Sequence, residues 1–155
     1  IRAWLVACSK HEPCSRTLSG QQVDEFNPSL PTRCIYVWTV QDAVKFRLQN
    51  TAGTRGPYIT VSHRWLPDEN MNCTKMSNLQ SRLTGESFAP LPPLFLDTIT
   101  LAARLGISYV WIDALCIVQG GGGEWGTEAE RMADYYQNSL FTIACTNANL
   151  LTGIF

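Results

Sequence analysis

A chain of 155 residues that is 45% hydrophobic and 16% charged is long enough for one compact domain with a full core, and too short for two. Its formal net charge of -1, with no run of Lys or Arg, gives no electrostatic footprint for a phosphate backbone and argues against nucleic acid as a partner. No stretch approaches the roughly 18 uninterrupted apolar residues of a membrane span, and the opening IRAWLVACSK lacks a signal-peptide pattern.

The chain therefore reads as a soluble, cytoplasmic domain. It starts at Ile1 rather than Met, so it is expected to be a segment of a longer protein with other domains. Of the six cysteines, Cys116 and Cys145 lie in apolar, strand-like surroundings where a thiol behaves as a small hydrophobe. A core of this size needs no covalent staples, and reduced thiols are expected.

In chain order, RAWLVACSKHEPCSR is a short apolar run leading into a loop that bears cysteine and histidine. A polar, Pro-punctuated connection covers Leu18 to Thr32. IYVWTV and KFRLQ then read as two short strands, with a turn at Gln41 and Asp42 and another at TAGTRGP. YITVSHRW begins as a β-branched strand, and NLQSRL suggests a helical turn. SFAPLPPLFLDTITLAARLG reads as a proline-introduced helix closed by Gly106. ISYVWIDAL is a nearly continuous apolar strand that Asp113 closes, EWGTEAERMADYYQNS a second amphipathic helix, and LFTIACT another strand.

Strand, helix, strand, helix, strand predicts an α/β fold with an open, mainly parallel sheet flanked by helices. The expected layout is one domain over 1–155: an irregular, partly β lead-in over 1–56 and an α/β core over 57–155.

The glycines Gly120 to Gly123 match no phosphate-cradling template, lacking both spaced glycines and a following Lys-Ser/Thr. They read as a flexible or shortened loop. The spacing Cys8, His11, Cys14 gives C-x2-H-x2-C, and Cys34 could complete a zinc set of four. The spacing is not one of the strong finger patterns, and buried thiols with a packed histidine are the competing reading. With His11 and His63 as the two histidines, a metallohydrolase or a Ser-His-Asp triad has little to build from. Ser62 and His63, neighbours on a strand, point to opposite faces and do not form a nucleophile and base pair.

On the second helix, Trp125, Ala129, Met132 and Tyr136 form the apolar stripe, and Glu128 shares their face. Glu128 is either a first-turn partner of the helix dipole or a carboxylate in a partly apolar cleft, useful in catalysis. Ligands of open parallel sheets bind outside the carboxyl ends of the strands. Ser62, Arg64 and Trp65 follow one strand there and Asp113 ends the next. Arg64 could hold a phosphate or simply pair with Asp113, and Trp65 could stack on a ring or simply fill core.

GPYITVSHRW, LPPLFLDTITLAARLGISYVWIDALCIVQ, EWGTEAERMADYYQNSLFTIAC and NLLTGIF together resemble the fungal heterokaryon-incompatibility (HET) domain over about residues 57–155. WIDALCIVQ followed by W-x2-E-x3-M is the most specific part. The resemblance implies an effector of fungal nonself recognition that triggers growth arrest or cell death, usually within a longer chain. HET domains are in turn distantly similar to TIR domains, which implies a TIR/flavodoxin-like sheet. Some TIR domains cleave NAD with a helix-borne glutamate, an analogy of fold.

Carried over by position, the motif places its functional residues at Ser62, Trp65, Asp113, Gln119 and Glu128. The chain departs from the pattern at Gly120 to Gly123 and at His63-Arg64. The implied mechanism has NAD as substrate and no cofactor. Glu128 is the catalytic carboxylate, Arg64 holds phosphate, Trp65 stacks, and assembly into a homo-oligomer accompanies activation. The competing expectation is a non-enzymatic signalling module acting by self-association or partner recruitment, in which Glu128 and Asp113 only brace the fold.

Overall fold

The structure is a computed structural model that describes residues 1–8, 10–11, 16, 20, 24, 27–65, 72–86, 88, 90–120, 124–146 and 153–154. In chain order the elements are α1 (Arg2–Cys8), β1 (Arg33–Val40), β2 (Ala43–Asn50), β3 (Tyr58–Ser62), α2 (Met76–Thr84), α3 (Pro93–Leu105), β4 (Tyr109–Trp111), α4 (Asp113–Cys116), α5 (Glu124–Gln137) and β5 (Phe141–Ala144).

The five strands form one sheet in the order β2-β1-β4-β3-β5. β3, β4 and β5 are parallel, whereas β1 runs antiparallel to both β2 and β4. The sheet is thus mixed, which corrects the mainly parallel expectation. The reason lies in the lead-in: its two strands form a hairpin whose first strand pairs with β4, so they join the sheet that the core builds. The hairpin closes through Gln41 and Asp42 at φ 47° and 64°, the left-handed pair that a two-residue turn needs to match strand twist.

From β3 the chain passes through α2 and α3 to β4 on one side. It then crosses through α4 and α5 to β5 on the other side. The two crossovers reverse direction around β3, which places the topological switch at the carboxyl ends of the parallel strands.

Alternation along the strands divides the faces. Tyr58 and Trp111 meet α5: the Tyr58 hydroxyl donates to the Tyr135 carbonyl at 2.7 Å, and the Trp111 ring lies 5.4 Å from that of Tyr135. The opposite face carries Ile59, Val61 and Val110, all buried with α3 residues Phe95, Ile99 and Ala102 in one core. α3 ends as its sequence suggests, with Gly106 in the left-handed region at φ 75° and its N–H returned to Ala102 and Ala103 carbonyls.

Three elements differ from their sequence reading. The apolar start is a short helix, α1, rather than only a run into a loop. The strand expected over ISYVWIDAL stops at Trp111, and Asp113 opens α4 instead of closing a strand. Apolarity there reports full burial, which a short helix satisfies as well as a strand does. On α5 the buried residues are Glu128 and Tyr135, while Trp125 is 47% exposed, so the buried stripe is rotated off Trp125 toward the carboxylate.

Candidate functional site

Antiparallel pairing of β1 with β4 aligns Ile35 with Val110. Followed outward, the same register sets Arg33 and Thr32 at the carboxyl edge of β4, where Asp113 begins α4. Two buried carboxylates come to this edge: Glu128, 5% exposed, and Asp113, 6% exposed.

Glu128 is held by hydroxyls. Thr32 Oγ1 donates to Oε1 at 2.7 Å, Tyr135 OH donates to Oε2 at 3.0 Å, and the two hydroxyl oxygens lie 3.2 Å apart. Arg131 Nη1, one turn along the helix and mostly exposed, stands 3.7 Å from Oε1. Tyr135 is seven residues from Glu128, which puts both on one side of α5. Thr32 reaches them because β1 begins beside β4.

Asp113 is held differently. The Trp65 indole Nε1 donates to Oδ2 at 2.8 Å, the Ala114 amide donates to Oδ1 at 2.7 Å, and His63 Nδ1 lies 3.7 Å from Oδ1. The His63 ring meets the Phe95 ring edge-on at 5.1 Å and runs roughly parallel to the Trp65 ring at 6.2 Å. Burial, and then the negative charge of Asp113, push the Tyr136 phenol up to about 12. This couples Asp113 to α5 as well.

Beside Thr32, Arg33 is buried. Its Nε donates to the Cys116 carbonyl at 2.9 Å, and its two terminal nitrogens fork onto the two oxygens of Glu124, the first residue of α5. None of Thr32, Arg33 and Tyr135 was a sequence candidate. For Tyr135 the available signal was its i+7 spacing from Glu128 on one helix; for Thr32 and Arg33 there was none, because the antiparallel seat of β1 beside β4 appears only in the structure.

The expected site residues separate as follows. Trp65 and Asp113 meet directly, with His63. Ser62 is exposed at the end of β3, opposite Ala144. Arg64 is exposed, and among the described residues no ion pair joins it to Asp113 or Glu128; Trp65 and His63 take the place that a bridge from Arg64 would fill. Gln119 braces the loop after α4, its amide on the Thr74 carbonyl at 2.7 Å and its side chain on the Ile117 carbonyl at 3.2 Å. Among the described residues no hydrogen bond or ion pair joins Glu128 to Asp113, Trp65 or Gln119.

Of the zinc set, Cys14 lies outside the described residues, as do Gly121 to Gly123. Cys34 is fully buried in β1, and burial pushes its thiol well above the usual range. Among the described residues no group of three or more His, Cys, Asp and Glu is arranged to hold a metal.

Residues 58–153 match the family model for Heterokaryon incompatibility protein (HET). The chain belongs to the HET family. The match runs from the first residue of β3 past β5, so the parallel strands, α3, α4 and α5 of this HET domain all lie within it, as do Asp113 and Glu128. No curated protein and no solved structure matches the chain. The hairpin β1–β2 precedes the matched region, yet it supplies Thr32 and Arg33 to the same edge. No helix among the described residues of the HET domain is long and apolar enough to cross a membrane.

Proposed function

We propose that this HET domain is a cytoplasmic effector of fungal nonself recognition that triggers cell death by cleaving NAD at the nicotinamide–ribose bond. The family supports the cell-death role. One observation supports the chemistry: two buried carboxylates, Glu128 and Asp113, stand at the carboxyl edge of parallel strands, beside the switch where open α/β sheets take their ligands. TIR-like ancestry would agree with this reading.

The Glu128 carboxylate accepts two hydroxyls 3.2 Å apart, on separate oxygens. A vicinal ribose diol presents the same pair of donors. With a ribose in place of one or both protein hydroxyls, Glu128 would anchor the sugar and stabilise the positive charge that grows at its anomeric carbon as nicotinamide leaves. Water would then complete the hydrolysis. Trp65, fixed by Asp113, would flank the ligand, with Arg64 exposed nearby for phosphate. In a homo-oligomer formed on activation, this edge would be completed by assembly.

A second reading has its own observation. Thr32 and Tyr135 already occupy both oxygens of Glu128, as a structural brace would, and Trp125 one turn earlier is exposed. In that case the domain is a non-enzymatic module that acts by self-association or recruitment, with Trp125 at the contact.

The deciding experiment is NAD consumption by purified protein at high concentration, beside Glu128→Gln and Glu128→Ala, each confirmed to be folded. Turnover by the wild type, lost in both variants, supports the hydrolase. No turnover in any of them, with concentration-dependent assembly that Trp125→Ser abolishes, supports the module.

A further inference from the structure

We propose that Arg33 is the phosphate-holding cation of this edge and that Glu124 is an internal anion occupying its site in the resting chain. The inference rests on the nucleotide reading above and assigns its phosphate contact to Arg33 instead of Arg64.

Arg33 is built in. Its side chain is 7% exposed, and the bond from Nε to the Cys116 carbonyl fixes the guanidinium plane. The remaining nitrogens present a fork, and both oxygens of Glu124 lie on it. A forked pair of donors receives phosphate in the same way as carboxylate, which is what distinguishes arginine from lysine at such sites.

The counter-ion is less committed. The Glu124 side chain is 38% exposed and sits at the very start of α5, so it can turn to water once another anion replaces it on the buried guanidinium, whereas Arg33 cannot follow it. An anion arriving from solvent would therefore find the fork in place and compete with one half-solvated carboxylate. Thr32, the preceding residue, donates to Glu128. Thr32, just before β1, and Arg33, its first residue, thus address a sugar-hydroxyl site and a phosphate site. Arg64, exposed and off this cluster, lacks such a seat.

The test uses inorganic pyrophosphate and ADP-ribose as probes, with sodium chloride at matched ionic strength as control. Calorimetric binding and thermal unfolding are measured on the wild type, Glu124→Gln, and Glu124→Gln combined with Arg33→Lys. Glutamine keeps an acceptor on the fork while removing the competing charge, and far-UV circular dichroism confirms that each variant is folded before binding is measured. Glu124→Gln is expected to bind pyrophosphate about tenfold tighter than wild type, which corresponds to the loss of one charge-assisted contact. Pyrophosphate should raise its Tm above the chloride control, and Arg33→Lys should remove both gains.

Equal pyrophosphate affinity in wild type and Glu124→Gln, or a gain that survives Arg33→Lys, overturns the assignment. Arg33-dependent pyrophosphate binding with no ADP-ribose binding and no NAD turnover upholds the anion site and sinks the nucleotide reading. ADP-ribose binding that Arg33→Lys weakens supports both.

Discussion

Thr32 Oγ1 donates a 2.7 Å hydrogen bond to Glu128 Oε1 across 96 positions of sequence. It ties the strand that opens the hairpin to the helix of the last crossover, and Tyr135 closes the same cluster at 3.0 Å. Removing one hydroxyl leaves a buried carboxylate short of a donor, which costs about 1–3 kcal/mol. Tyr135→Phe and Thr32→Val are each expected to lose that much in urea unfolding. Because both donors share one acceptor, their double mutant should deviate from additivity by about 0.5 kcal/mol or more. Strict additivity would show that the two hydroxyls do not act on Glu128 together.

The Trp65 indole and the Ala114 amide each donate to a different oxygen of Asp113. Asparagine offers one acceptor oxygen, and turns an N–H group toward one of those donors. Asp113→Asn is therefore expected to destabilise by about 1–3 kcal/mol and to shift the fluorescence of Trp65, read as the part of the emission that Trp65→Phe removes. An unchanged emission maximum would count against the contact.

Alkaline stability should fall in a defined window. Burial raises the Cys116 thiol from 9.0 to about 12, and burial with Asp113 raises the Tyr136 phenol from 10.0 to about 12. Both groups are neutral when protonated, so above the ordinary value the unfolded chain releases a proton that the native chain keeps, and unfolding is favoured. Stability is expected to be unaffected by these two groups below about pH 9. It should then decline toward pH 12, by up to about 1.4 kcal/mol per pH unit for each group. Cys116→Ala should shallow the slope above pH 9 in urea midpoints. A slope identical to wild type would remove the thiol as its source.

Gly106 stands at φ 75° with open space where a side-chain methyl would sit, so an alanine there is opposed by backbone conformation alone. Gly106→Ala should cost about 1–2 kcal/mol, measured by chemical denaturation. A neutral effect would mean that the helix end relaxes out of the left-handed region.

Much of the architecture was legible along the chain. The proline-started, glycine-stopped α3 was written in local chemistry, as was the Gln41–Asp42 turn, because caps and turns depend on residues within a few positions of one another. The HET resemblance was legible too, since the motif blocks are contiguous. Glu128 stood out as a carboxylate on an apolar helix face, and in the structure it is buried rather than at the rim of that face.

What only the tertiary structure decided was pairing across distance. Strand direction is not encoded in apolarity, so the antiparallel seat of β1 beside β4, and with it the mixed sheet, could not be read from the run IYVWTV. That one pairing carries Thr32 and Arg33 to the carboxyl edge, where they meet Glu128 and Glu124. It also explains why Thr32, 96 positions away, is a partner of Glu128, whereas Tyr135 reaches it by helical spacing along α5. Trp125 was assigned to the buried stripe because helical periodicity fixes relative angles around an axis and leaves the rotation of the helix against the sheet open. Packing of Tyr135 on Trp111 and Tyr58 set that rotation. The sequence by itself determined β1, β2, β3, α3 and α5 and which acid was out of place; tertiary packing decided α1 and α4, the strand pairing and the long-range partner of that acid.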